Sequence, residues 1–310
     1  MTSPQVGNSH RDLQVPDQST RRSRGALPES CSRLEPLFCG ALFAIDDWSC
    51  NGQDTSGTAD EWAREDRVVV ARRGLFELTV DGATQVVDPL SAALWHGRSH
   101  YRVRHPVGGG DECTLFRLTE AGCRELRAVH RHTGSGRVFP RRSRVLGGSE
   151  YLSHRVALDR ARNGSDPLGV EEPALAFLLA MVSGEAAPTA VSITTSARAM
   201  VDATHQLISQ HYLRRLSLAG IAAVVGGSPS HLSRCFHAVM GTTVHQALIR
   251  RRLAAGLEQL LDTPDRVAMV ALSVGFASHS HFCDAFRAEY GCPPSQARRL
   301  VSGRVHQVRG

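Results

Sequence analysis

Lysine is absent from this chain of 310 residues: all 36 basic side chains are arginine, a bias that says more about genome composition than about chemistry. No stretch approaches the roughly 18 consecutive apolar residues of a membrane-crossing helix, and the N-terminus lacks the charged-then-apolar pattern of a signal peptide. The chain is therefore read as cytoplasmic, with no membrane partner. No Cys-x-x-Cys pair occurs among the cysteines at 31, 39, 50, 113, 123, 235, 283 and 292. A cytosolic chain keeps most thiols reduced, so neither a disulfide framework nor a zinc cluster is expected, and Cys235 and Cys283 read as small apolar residues.

What is present is a supersecondary unit written twice between Leu216 and Gln296. Leu218, Ile221, Ala222 and Val225 fall at i, i+3, i+4, i+7, the spacing of one buried helix face. Gly226 and Gly227 break that helix, Ser228 can cap a second one, and Leu232, Phe236 and Val239 supply the second helix with an apolar face. Val267, Val270, Ala271 and Val274 repeat the first helix; Gly275 ends it, Ser278 caps again, and Phe282, Ala285 and Phe286 repeat the second. Ala222 to Ala271 is an offset of 49, whereas Ser228 to Ser278, Leu232 to Phe282 and Gly241 to Gly291 are offsets of 50. A long helix from about Val244 to Leu261 separates the copies, so a stacked solenoid, which needs at least three repeats, is disfavoured. Two short helices joined by a tight glycine turn describe a helix-turn-helix, whose second helix can enter a DNA major groove.

Charge agrees with this. Residues 201–310 hold 12 arginines against 6 carboxylates, and residues 1–200 hold 24 of each, so the whole net charge of +6 sits on the segment read as DNA-binding. The exposed positions expected to face DNA are Ser228, Ser230, His231, Ser233 and Arg234 in the first unit and Ser278, His279, Ser280, His281 and Arg287 in the second. Arg250 and Arg251, with Arg252, are candidates for phosphate contact from the helix between them.

Over about the last hundred residues the sequence resembles the AraC family of bacterial transcription regulators. The resemblance rests on Ser228, Leu232, Arg234, Phe236 and Gly241, on Arg252-Leu253 and Leu260-Leu261, and on Val274-Gly275-Phe276, Ser280, Phe282, Phe286, Gly291 and Pro294. It implies two helix-turn-helix units reading successive major-groove segments of double-stranded DNA, RNA polymerase as a partner, activation more than repression, and a homodimer. Three positions depart from the family pattern: Asp284 and His237 stand where basic residues are common, and Gly256 stands where the linker helix usually carries alanine. A mid-helix glycine costs up to about 1 kcal/mol against alanine, which predicts a softer linker helix.

The N-terminal part reads as strands. Phe76, Leu78 and Val80 alternate with polar residues, Asp81-Gly82 supplies a hairpin turn, and Thr84 to Val87 return. Further strands are expected at Ala92–Trp95, Tyr101–Val103 and Thr114–Leu118, with a Gly108-Gly109-Gly110 loop between the last two. Many short strands with glycine and proline turns suggest an antiparallel barrel or sandwich. The strand order and domain order resemble the cupin-like sensory half of AraC-type regulators. The expected fold is therefore α+β in two domains: a cupin-like antiparallel β-barrel plus helices, then an all-α domain with two helix-turn-helix units joined by a linker helix. The boundaries read as a disordered tail at 1–35, a sensory and dimerisation domain at 36–185, a linker at 186–196, a DNA-binding domain at 197–303 and a tail at 304–310. Arg21, Arg22 and Arg24 read as a solvated charge run.

A small organic effector would find Trp48, Trp62, Trp95 and Tyr101 as natural pocket residues, each of which could equally be core. Metal-dependent cupins place His-x-His and Glu on one strand, whereas Val70-Ala71-Arg72-Arg73 offers no histidine. His96, His100 and His105 straddle a turn without ligand spacing, so no metal, cofactor or catalytic residue is expected. Helices are expected at Ala121–His130, Val156–Arg162 and Glu171–Val182; the stripe of Leu175, Leu178, Leu179 and Val182 suits either dimerisation or packing on the barrel. The alternatives are a regulator whose barrel only dimerises, without a ligand, and a cupin-type enzyme with an accessory DNA module.

Overall fold

The computed structural model describes residues 32–52, 57–58, 61–106, 109–129, 137–183 and 194–301. Its strands are β1 (Ser32–Cys39), β2 (Phe43–Cys50), β3 (Glu61–Trp62), β4 (Arg67–Gly74), β5 (Phe76–Val80), β6 (Ala83–Val87), β7 (Ser91–Trp95), β8 (His100–Arg104), β9 (Asp111–Leu118) and β10 (Ser143–Val145). α1 (Glu120–Val129) precedes β10, and α2 (Gly148–Arg162) and α3 (Pro167–Val182) follow it. The C-terminal half is α4 (Thr195–His211), α5 (Leu218–Val225), α6 (Pro229–Met240), α7 (Val244–Asp262), α8 (Val267–Ser273), α9 (His279–Tyr290) and α10 (Pro294–Val301). Arg21, Arg22, Arg24, Cys31, Gly108, His130, the linker around Ala186–Thr189 and the tail at 304–310 lie outside the described residues. β1 begins inside the stretch read as an N-terminal tail.

The strands form a six-stranded sheet, order β1-β2-β9-β4-β7-β10, and a four-stranded sheet, order β3-β8-β5-β6, all paired antiparallel. Of the barrel and the sandwich that the strand pattern allows, the described strands form an open sandwich, not the barrel, because no ladder among them joins the two sheets. The larger sheet ends on a mostly exposed β1 and a short β10. The hairpin turn holds as expected: Asp81 (φ 47°) and Gly82 (φ 79°) both take the left-handed conformation that matches strand twist.

β4 explains the layering. Its run of valines is buried on both faces, as a strand between two layers must be. Val69 and Ala71 face the second sheet with Phe76, Leu78, Val80, Trp95 and Leu115. Val68 and Val70 face the helices with Phe43, Ile45, Phe116, Phe177 and Leu178. Half of the α3 stripe is spent on packing: Leu178 and Val182 are buried with Val170, Ala174, Phe177 and Met181 under α2 and the larger sheet, whereas Leu175 is half-buried and Leu179 stays exposed.

The two halves share a core. Leu253, Leu257 and Leu260 of α7, together with Phe282, Phe286 and Tyr290 of α9, belong to the same buried cluster as Tyr151, Leu158 and Phe177. Buried polar groups cross the same boundary. The Tyr151 hydroxyl donates to Glu258 Oε1 at 2.8 Å, and Arg155 Nε stands 3.1 Å from that oxygen. The Arg155 Nε–H is not directed at Glu258, so this contact is an ion pair without a well-formed hydrogen bond. At the rim, Arg73 of β4 donates to Asp262 at the end of α7, 2.6 Å away.

A second buried contact ties α4 to the sandwich. Asp88, just after β6, meets His205 Nε2 at 3.1 Å and accepts from the Ser209 hydroxyl. Burial opposes the charge on both groups. Even so, His205, Ser209 and Arg251 hold the Asp88 carboxyl down at about 2, and the Asp88 and Asp202 carboxylates hold His205 above its ordinary value.

Truncating Glu258 to alanine leaves Arg155, which is 1% exposed, with only the more distant Asp262 carboxylate, 3.6 Å away, as a charged partner. The expected loss is about 3–5 kcal/mol of unfolding free energy, read from urea midpoints. The Asp88–His205 pair sets a pH window. The His205 contribution is complete below about pH 6.5 and is lost as pH rises through its raised folded value; that of Asp88 is present above about pH 4 and is lost as pH falls toward 2. The stability gap between wild type and Asp88→Asn is therefore largest between about pH 4 and 6.5 and shrinks at higher pH. A gap that grows above pH 7 would contradict the pairing.

Candidate nucleic-acid interface

Each copy of the repeated unit is a pair of helices crossing a left-handed glycine: Gly226 (φ 77°) between α5 and α6, and Gly275 (φ 89°) between α8 and α9. Ser228 caps α6 by accepting from His231 N, and Ser278 caps α9 by accepting from His281 N, both at 3.2 Å. The two cap hydroxyls are therefore engaged with their own helices. The inner faces are apolar, with Leu232 and Phe236 of α6 and Phe282 and Phe286 of α9 all fully buried. The opposite faces present Ser230, His231 and Arg234 on α6 and His279, Ser280, His281, Asp284 and Arg287 on α9, all exposed, with Ser233 half-buried.

Neither Arg234 nor Arg287 has a hydrogen-bond or ion-pair partner among the described residues, so both guanidinium groups are available to an outside anion. His281 packs edge-on to Phe276 at 5.2 Å, and the thiol of Cys283 lies 3.3 Å from His279 Nε2. Cys235 similarly contacts His231 at 3.7 Å, so these two thiols border the polar faces as well as filling space.

The arginines of α7 are corrected. Arg251 is buried, its guanidinium 4.2 Å above the Tyr212 ring. Arg250 donates to Glu289 at 2.8 Å and to the Leu146 carbonyl. Arg252 donates to the carbonyls of Tyr212, Gly275 and Arg214 at 2.7, 2.9 and 3.0 Å. All three sit on helix faces enclosed by α4, α9 or the sandwich, which the spacing of leucines on α7 alone could not reveal. Among the exposed arginines that the sequence reading did not single out are Arg215, just before α5, and Arg266, at the N-cap of α8. Their signal was their place ahead of each first helix.

In the sandwich, Trp95 and Tyr101 stack with ring centres 4.7 Å apart, under the Arg67 guanidinium. Trp48 packs on the core between the sheets, and Trp62 is half exposed, edge-on to His100. Packing therefore engages all four aromatics proposed for an effector. A cavity of about 540 Å³ opens elsewhere, at the end of the sandwich, lined among others by Ser49, Cys50, Asn51, Arg73, Gly110 and Asp111. His105 is buried, with Nε2 3.2 Å from Asp111 Oδ1, whereas His96 lies 3.5 Å from Asp66. The three histidines are thus not one cluster.

Residues 221–300 match the profile of a helix-turn-helix domain. Among curated proteins, the probable transcriptional regulator LumQ of Photobacterium leiognathi is 33% identical over 94 residues, covering 30% of this chain and 38% of LumQ. The bifunctional transcriptional activator and DNA repair enzyme AdaA of Bacillus subtilis is 27% identical over 100 residues, covering 32% of this chain and 47% of AdaA. The chain thus spans less than half the length of these relatives. The crystal structure of unsaturated fatty acid-bound ToxT from Vibrio cholerae covers 85% of this chain and 97% of its own at 11% identity and a TM-score of 0.34, too loose a likeness to inform fold or function.

Gly256 is buried on α7, and a Cβ there would lie 2.9 Å from the edge of the Phe282 ring. The glycine that departs from the family pattern is thus a packing requirement: it lets α9 approach the linker helix. Gly256→Ala sets a helix-propensity gain of about 1 kcal/mol against overpacking of about 1–3 kcal/mol, so a net loss of up to about 2 kcal/mol is expected by chemical denaturation. A more stable variant would restore the soft-helix reading.

Proposed function

We propose that this chain, whose C-terminal third is an AraC-type helix-turn-helix domain, is a sequence-specific DNA-binding transcription regulator and more specifically an effector-responsive activator. The observation that carries the reading is the pair of capped helices, α6 and α9, each burying an apolar face and presenting a polar face with one unpaired guanidinium. On this reading Ser230, His231, Ser233 and Arg234 face one major-groove segment and His279, Ser280, His281 and Arg287 the next, with Arg215 and Arg266 added as phosphate contacts at helix N-termini. Asp284 accepts from a cytosine amino group or repels phosphate, so the first unit supplies more of the base readout. No catalytic residue is needed; the chain acts in the cytoplasm as a homodimer with RNA polymerase as its partner. Of the α3 stripe, Leu179 and part of Leu175 remain at the surface for a dimer contact. The effector enters the N-terminal domain, which has the cupin-like character of a sensory half.

The core shared by α2, α7 and α9 supports coupling between that domain and the second unit. The first unit packs in its own cluster with α4.

Footprinting of full-length protein on the promoter regions flanking its own gene, at two salt concentrations, tests the reading. Two protected segments about one helical turn apart, weakening with salt, are expected. Arg234→Ala and Arg287→Ala each lower the slope of log affinity against log salt by about 0.9 where the side chain meets phosphate; where it reads a base, each costs about 1–3 kcal/mol and relaxes preference there. An unchanged affinity and slope removes that residue from the interface.

A further inference from the structure

We propose that Cys50, His105 and Asp111 form a binding site for one divalent metal ion of the zinc class in the N-terminal domain. The three come from separate segments: Cys50 ends β2, His105 follows β8 in the opposite sheet, and Asp111 opens β9. Their ligand atoms nevertheless all lie within 4.8 Å of one another, with His105 and Asp111 buried and Cys50 half-buried. In a tetrahedral zinc site, bonds of about 2.0–2.3 Å place the ligand atoms roughly 3.3–3.8 Å apart, a small adjustment from this geometry. A Cys–His–Asp relay for nucleophilic chemistry would instead hold the thiol and the carboxylate on opposite ring nitrogens. Mutual convergence of all three atoms points to a shared centre.

Charge supports the same conclusion. Elsewhere in the fold, the buried carboxylates of Asp46 and Glu258 face arginines, Arg117 and Arg155, and that of Asp88 faces His205. Asp111 faces the His105 imidazole and, 3.2 Å from Oδ2, the thiol of Cys113. One thiolate and one carboxylate neutralise a dication, which makes the buried set charge-balanced once filled. Thiolate, imidazole and carboxylate together suit zinc or cobalt better than magnesium or calcium. The backbone is shaped for the approach: a Cβ on Gly110 would lie 1.8 Å from the Cys50 carbonyl, so only glycine lets β2 and β9 meet here.

Cys50 and Asp111 also line the 540 Å³ cavity, which leaves the fourth coordination position open to water or a small ligand. Arg73, on the same wall, reaches Asp262 of α7, so one side chain separates the cavity from the DNA-binding half. On coordination Cys50 loses its thiol proton to solvent and His105 binds through an unprotonated ring nitrogen, so metal binding releases protons and weakens in acid.

Chelator-stripped full-length protein is loaded with Zn²⁺ and, separately, with Co²⁺, then dialysed. Because the exposed pairs Cys235/His231 and Cys283/His279 could also hold metal, the same loading is done in a Cys235→Ser/Cys283→Ser background. The expected result is one retained zinc equivalent in that background and a cobalt spectrum with a near-ultraviolet thiolate charge-transfer band. Adding Cys50→Ser, His105→Ala or Asp111→Asn removes the equivalent, and adding Cys113→Ser leaves it. A background protein that retains no metal, a cobalt complex without the thiolate band, or an equivalent that survives Cys50→Ser would each overturn the site. The first two readouts need no N-terminal substitution, so misfolding of a variant leaves the test intact.

Discussion

A buried glutamate on α7 holds the two halves of this protein in one body. Glu258 is 3% exposed, and the Tyr151 hydroxyl and the Arg155 guanidinium, both from α2, meet it. A charge at that depth is tolerated only while its partners stay in place, so α2 and α7 are held in register. Once they are, Leu253, Leu257 and Leu260 close over α2, and α9 and α10 complete a core that runs from the larger sheet to the second helix pair. The first helix pair depends on a different contact, through α4 and Asp88. The two units repeated in the sequence thus sit in unequal surroundings, one built into the N-terminal domain and one attached to it.

A chain without lysine leaves most cationic tasks to arginine, with His205 beside Asp88 an exception. A guanidinium presents five donors in a planar fork, so it can serve several carbonyls at once where an ammonium could not hold the same geometry. Arg252 bonds three carbonyls from two segments, and Arg298 bonds those of Leu260, Thr263 and Asp265. Much of the positive charge in the C-terminal half is therefore structural, and the surface left for nucleic acid is narrower than the arginine count implies. Arg250 and Arg251 were misassigned for this reason. Charge can be counted along a sequence, but whether a carbonyl or a ring waits beside a given α7 guanidinium depends on chain elements 23 to 104 residues away.

The local features were legible and the distant ones were not. Caps at Ser228 and Ser278, left-handed glycines at 226 and 275, the Asp81-Gly82 turn and the alternating β5 follow from patterns spanning five residues or fewer, so they could be read from the chain alone, together with the duplicated helix pair and hence the AraC-type resemblance. Tertiary structure alone decided that the sheets stay open, that half of the α3 stripe is core, that Gly256 makes room for Phe282, and that Cys50, His105 and Asp111 converge. Each of these depends on which surfaces come to face each other after long stretches of chain have closed, and no period or spacing in the sequence encodes that.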